Sequence, residues 1–259
     1  VGVLGLDEFL IAQVFALLFV FARVGTALVI LPVFGENFVS QRVRLLLALA
    51  LSLLLVPVLQ ERIPPAPSSA PVLLRLLAIE VVAGVFIGTV ARIFLATLDT
   101  AGMFISLQTG LASAAIFNPA LGVTGSPFGS FLGMAGLALI AVTDLHHMLL
   151  LGLAASYDLF VPGVGLPMGD FAQTVGRALT QSFAIGFQMA APFIIGGILL
   201  NTALGVLSRL VPQMQIFFVA LPLQIGAGIL LMMASAGAAM LLWLNALQSA
   251  FTGLFLAPG

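Results

Sequence analysis

The sequence predicts an all-α fold of membrane-protein-like helical hairpins, and three observations carry that expectation. Hydrophobic residues make up 62% of the 259-residue chain and charged residues only 7%, where a soluble domain carries about 25%. Mean hydropathy is +1.27, so the chain has no polar skin and needs lipid or other apolar matter around it. Its apolar stretches approach or exceed the roughly 20 residues that cross a bilayer as a helix. In such surroundings a helix satisfies its backbone hydrogen bonds within itself.

The elements follow in order. A first apolar run, 9–31, is interrupted only by Arg23 and stopped by Pro32 and Gly35. No secretory signal is expected ahead of it, because Asp7 and Glu8 stand where a basic stretch would be. A polar link with Glu36, Asn37, Ser40, Gln41, Arg42 and Arg44 leads into a second run, 43–59. The segment 61–71, ERIPPAPSSAP, reads as extended, solvated linker. The third run, 72–98, contains Arg75, Glu80 and Arg92, and apolar residues keep recurring to Ile116. It reads as one long helix or as two, with a break near Gly102.

The segment 117–129, FNPALGVTGSPFG, has three glycines and two prolines and reads as a loop. It is too apolar for water, with Phe117, Leu121, Val123 and Phe128 together. A fourth run, 130–153, holds Asp144, His146 and His147. Beyond a Pro- and Gly-rich loop, the fifth run, 171–207, is expected to break near Pro192. The last two runs, 216–236 and 238–256, are expected to meet near Gly237.

Composition also removes function classes. The 8 basic residues are all Arg and the net charge is −1, which leaves no basic surface for nucleic acid. The absence of cysteine removes disulfides, thiolate metal sites and cysteine nucleophiles. There is no GxxxxGK[ST] and no HExxH, and Ser126 and Ser130 have no His–Asp partners at readable positions. No catalytic residue, cofactor or metal is expected. Asp144 and His147, spaced i to i+3, can share a helix face. With His146 they make a thin metal set, because adjacent histidines on a helix diverge; a cap or an internal polar contact is the favoured role.

The charges inside apolar runs are Arg23, Glu80, Arg92 and Asp144. An ionised group facing hydrocarbon costs roughly 2.5–3.5 kcal/mol on insertion scales, so each is expected to meet a partner or an aqueous cavity. Glu80, Arg92 and Asp144 are read as buried charges. Glu80 is expected to find a contact between helices, with Arg75 or Arg92 as candidates. Structural pairing is favoured over a proton relay, since the charges are biased to Arg and no acidic pair has relay spacing. GxxxG pairs such as Gly84 and Gly88 permit close helix packing without naming the partner. The residues alone leave a transporter, a channel component and a passive scaffold open.

Three stretches give the chain a resemblance to a known family. Residues 23–59 begin at Arg23 and carry Pro32, Phe34, Gly35, Val43 and Arg44. Residues 102–122 carry Gln108, Gly110 and the Asn118–Pro119 step. Residues 182–231 carry Gly186, Pro192, Asn201, Gly205, Arg209, Pro212, Gln213, Phe217 and Pro222, within them LSRLVPQMQIFFVALP. This pattern resembles the FliR/SctT family of type III export apparatus proteins, the flagellar branch more than the virulence branch. Gln224 stands where that family usually has a basic residue.

The resemblance implies a non-catalytic subunit of a helical, cone-like export gate. One copy would assemble with several copies of FliP and FliQ homologues, beside FlhA and FlhB homologues, to pass unfolded flagellar subunits. Residues 1–180 would be a FliP-like part and 181–259 a FliQ-like part. The setting would be the bacterial inner membrane and its periplasmic side at the flagellar basal body, in contact with lipid. The loop 113–130 would plug the channel through Phe117, Asn118, Pro119, Leu121, Gly122, Gly125, Pro127, Phe128 and Gly129. Arg23, Gln188, Pro192, Asn201, Arg209, Pro212, Gln213 and Pro222 would serve assembly. The competing expectations are a secondary transporter, marked by matching repeats and a midplane site beside broken helices, and a lipid-embedded scaffold.

Overall fold

The computed structural model describes residues 6–111, 126–210 and 216–256, with the side chains of all but 6–8, 216–219 and 256. The plug candidates Phe117, Asn118, Pro119, Leu121, Gly122 and Gly125, and the assembly candidates Pro212 and Gln213, lie outside the described residues. Among the described residues every regular element is helical and none is a strand. The helices are α1 (Leu6–Ile30), α2 (Gln41–Leu59), α3 (Ala70–Gln108), α4 (Pro127–Val142), α5 (Leu145–Leu159), α6 (Met168–Leu210) and α7 (Ile216–Phe251), closed by a π-helical turn, Thr252–Leu256. Five are long and apolar enough to cross a membrane, six if the broken pair α4–α5 counts as one span.

The expected helix breaks are not where the structure has them. Helix α3 runs unbroken through Gly102, α6 through Pro192 and α7 through Gly237. Proline removes one backbone N–H and crowds the carbonyl four residues back. Single interruptions of that kind are tolerated in long apolar helices, where neighbouring groups re-satisfy the backbone. The chain breaks instead inside the run 130–153, which reads as continuous in sequence. Asp144 there adopts φ 58, ψ 14, a left-handed conformation that stops α4 and starts α5. Aspartate is among the few residues that visit this region readily.

Pro127, Phe128 and Gly129 are not loop residues. They form the first turn of α4, with the Ser126 hydroxyl accepting from the Gly129 N–H at 2.8 Å. That is an N-cap followed by proline at the first helical position, where its missing N–H is not needed.

The chain folds as two compact units, each gathered from distant segments. The first comprises 1–92, 140–176 and 248–259, and the second 93–139 and 177–247. In the first, Phe19, Val24, Leu28, Ile87, Leu149 and Phe251 are buried. Phe86 stacks on Phe171 at 3.9 Å, and Phe160 meets both rings edge-on. The sequence pair Gly84 and Gly88 finds its partner here. A Cβ on Gly84 would collide with Thr26 Oγ1 and the Arg23 carbonyl, and one on Gly88 would lie 2.7 Å from Ile30 Cβ. The link after α1 is held from behind, Arg44 donating to the carbonyls of Phe34 at 2.9 Å and Glu36 at 3.1 Å.

The second unit is centred on Trp243, which is fully buried and donates its indole N–H to the Phe94 carbonyl at 2.7 Å. Indole is a donor only, so its burial requires such an acceptor. Ser182 binds Thr97 at 2.7 Å and the Ile93 carbonyl at 3.1 Å, joining α6 to α3. Phe104 lies edge-on to both Phe183 and Phe187. Glycines 102 and 129 bring α3 and the start of α4 into backbone contact; a Cβ on Gly102 would overlap Gly129.

Candidate functional site

The first unit contains a buried polar node built from three helices. Arg23 on α1 and Glu80 on α3 are both fully buried. Arg23 donates Nε to one Glu80 carboxylate oxygen at 2.7 Å and Nη2 to the other at 3.1 Å. Its remaining donors reach the end of α5: Nη1 to the Ser156 carbonyl at 3.1 Å and hydroxyl at 3.3 Å, and Nη2 to the Phe160 carbonyl at 2.9 Å. A guanidinium has five N–H donors, and these contacts engage them all. The Tyr157 ring lies 4.0 Å from the guanidinium carbon, and its hydroxyl donates to the Val20 carbonyl at 3.3 Å. The Ser156 carbonyl also accepts from the Phe160 N–H at 2.8 Å, and the terminal carbonyls of a helix carry partial negative charge, so the cation sits where it favours the end of α5.

The node answers the question of the embedded charges. The expected contact of Glu80 between helices exists, but the partner is Arg23 and neither Arg75 nor Arg92. Arg92 pairs with Glu36 near the surface, its side chain 47% exposed. Asp144 is 78% exposed and sits beside His147. Of the three charges read as buried, Glu80 alone is buried within the chain. The side chains of Arg92 and Asp144 are exposed on the chain's own surface. Ser156, Tyr157 and Phe160 are missed by sequence reasoning. The available signal is that Tyr157 is the chain's single tyrosine, set between Ser156 and Asp158 in an apolar run.

In the second unit the end of α3 is clamped. A Cβ on Gly197 of α6 would meet Gln108, and one on Gly228 of α7 would meet Thr109. Gly110 follows with φ 74, the left-handed step that commonly ends helices. A cavity of about 110 Å³ opens among Gln108, Thr109, Gly197, Gln224 and Gly228. Gln224 donates to Asn201 across α6 and α7 at 2.8 Å. The segment 112–125 therefore leaves from one fixed end, Gln108–Gly110, and returns to another, Ser126–Gly129.

The family model for bacterial export proteins, family 1, matches residues 14–250. The chain belongs to this family. It is 37% identical to the flagellar biosynthetic protein FliR of Caulobacter vibrioides over 89% of its own length and 92% of that relative's. Identity to FliR of Bacillus subtilis is 30%, covering 84% of each chain. The Yop proteins translocation protein T of Yersinia pestis is 29% identical, over 85% of this chain and 88% of that one.

Within this family-1 export protein the assembly candidates divide by burial. Arg23 is buried in the node, whereas Asn201 is exposed and accepts from Gln224. Gln188, Arg209 and Pro222 are exposed, on helices that also expose Phe183, Phe187, Ile195, Leu199, Leu207 and Leu223. Pro192 is half-buried inside α6. Arg209 lies in the last turn of α6 and Asp170 in the first, each favourable to the helix dipole.

Proposed function

We propose that this export protein is a non-catalytic core subunit of the flagellar type III export gate, forming and plugging the channel for unfolded flagellar substrates. Family membership makes it a component of a bacterial export apparatus. The finer reading includes assembly with several copies of FliP and FliQ homologues beside FlhA and FlhB homologues. It also places the chain at the inner membrane and its periplasmic side at the flagellar basal body, with a FliP-like part, 1–180, ahead of a FliQ-like part, 181–259.

The observation that carries this reading is the surface of α6 and α7. Only 28% and 17% of their apolar membrane-length windows are buried within the chain, so the rest requires cover. Lipid alone covers an apolar face well, but it is a poor neighbour for Gln188 and Arg209 on the same helices. Partner helices offering hydrogen bonds suit both. The occupied Arg23–Glu80 pair also favours an architectural role over ion relay, since both carboxylate oxygens already accept from the guanidinium.

Co-purification tests assembly. With Arg209→Ala, recovery of a complex with FliP and FliQ homologues should fall severalfold, while the isolated chain loses less than about 1 kcal/mol of stability. Undiminished recovery of intact complex defeats the assembly role. The plug is tested by a deletion that spares the α4 cap, removing 118–125 and keeping Ser126–Gly129. The complex should assemble and conduct ions in reconstituted membranes, because apolar side chains that exclude water from a pore would be gone. Normal assembly with no added conductance rules this segment out as the seal.

A further inference from the structure

The break between α4 and α5 gathers the chain's only two histidines with an aspartate. Three features there are unusual together. Asp144 is the N-cap of α5, a position where an aspartate ordinarily accepts from the helix N–H groups with extended backbone. Asp144 does neither: its backbone is left-handed and its carboxylate makes no capping bond. Consecutive residues on a helix point about 100° apart, yet the His146 and His147 ring centroids lie 4.1 Å apart with 37° between their planes. The divergence expected from sequence, which argued against a metal, is absent. Finally, the donor atoms of Asp144, His146 and His147 all fall within 4.8 Å of one another.

The spacing inside the cluster distinguishes a hydrogen bond from a shared ligand position. His147 Nδ1 and Asp144 Oδ1 are 3.4 Å apart, long for a charge-assisted bond of about 2.7–2.9 Å. Two donors on a tetrahedral ion with bonds of about 2.0–2.1 Å stand roughly 3.3–3.4 Å apart. His146 Nδ1 lies 3.4 Å from the Ile140 carbonyl. An Nδ1–H turned toward this carbonyl would leave Nε2 as the ligand atom, the usual division of labour in a metal-bound histidine.

We propose that Asp144, His146 and His147 bind one divalent transition cation of the zinc class at the α4–α5 break. Two imidazoles and one carboxylate suit zinc, nickel, copper or iron(II), whereas magnesium and calcium take oxygen donors. Three ligands from the chain leave at least one position for water or for a donor from another molecule. His147 and Asp144 are exposed, so their side chains can close onto the ion without disturbing the core. Binding would fix the left-handed turn, with one ligand at the cap and two in the first turn of α5.

The full chain, purified in detergent with a tag free of histidine, provides the test. Because it has two histidines and no cysteine, imidazole-bound metal can reside nowhere else on it. Calorimetry should show one Zn²⁺ per chain with micromolar affinity, unaffected by equimolar Mg²⁺. His147→Ala and Asp144→Asn should each weaken Zn²⁺ binding more than about 10-fold with helicity preserved, a loss at least equal to that from removing an outer-shell partner. Nitrogen NMR of the wild-type imidazoles needs no variant, and both rings should shift on Zn²⁺ addition. Equal Zn²⁺ affinity in wild type and in His146→Ala/His147→Ala overturns the site, as do unshifted imidazoles or equal competition by Mg²⁺.

Discussion

The cores of the two units are built around different polar groups. The first buries Arg23 and Glu80 and satisfies them internally with the end of α5 and Tyr157. The second keeps neutral hydroxyls and an indole inside, at Thr97, Ser182 and Trp243, and leaves Gln188 and Arg209 on its surface. The two fates mark two jobs. A charge satisfied within the chain ties its helices together. Under the function proposed above, a polar side chain left on an apolar face is where a partner would dock.

The strongest way to break this comparison is at the node. Arg23→Ala strands a buried carboxylate and should cost about 3–5 kcal/mol in detergent unfolding, whereas Arg23→Met/Glu80→Leu should recover most of that loss. Equal loss in single and double variants would mean that the ion pair is not what joins the helices. Next comes the second unit's backbone contact. Gly102→Val drives a side chain into Gly129 and should cost about 1–3 kcal/mol. Gly237, also expected to break a helix, has nothing within 4 Å of an added Cβ, so Gly237→Ala should stabilise by up to about 1 kcal/mol through helix propensity. A matching loss at both glycines would remove the distinction between contact and propensity. The smallest effect belongs to the surface pair of Arg62 and Asp158. Arg62→Ala should change stability by less than about 1 kcal/mol, and the change should vanish in high salt.

The helical class and the long apolar elements were legible because composition and run length are properties of the chain itself. The breaks were less legible. Pro192 and Gly102 are local breakers by propensity, yet both helices run through them. Gly102 serves close approach to Gly129, which no local window reveals. The actual break falls at Asp144, where a backbone conformation common to aspartate decides it, with no Pro or Gly as a signal. Likewise Glu80 was legible as needing a partner, but its partner is 57 residues away on α1. Spacing rules along one helix cannot find it. The histidine pair was read through ideal helix directions, which fix where each side chain leaves the backbone and not where the two rings end.

The node also sets a timetable. Arg23 lies on α1, yet Ser156 and Phe160, which accept from it, come 133 and 137 residues later in the chain. At synthesis rates of about 5–20 residues per second, the wait for them is of order 10 s. Glu80 comes 57 residues after Arg23 and can hold part of the guanidinium before then, but the donors that reach Ser156 and Phe160 find their partners only after α5 has left the ribosome. Helix α1 thus completes its contacts only together with α5, although α1 and α3 are both made before it.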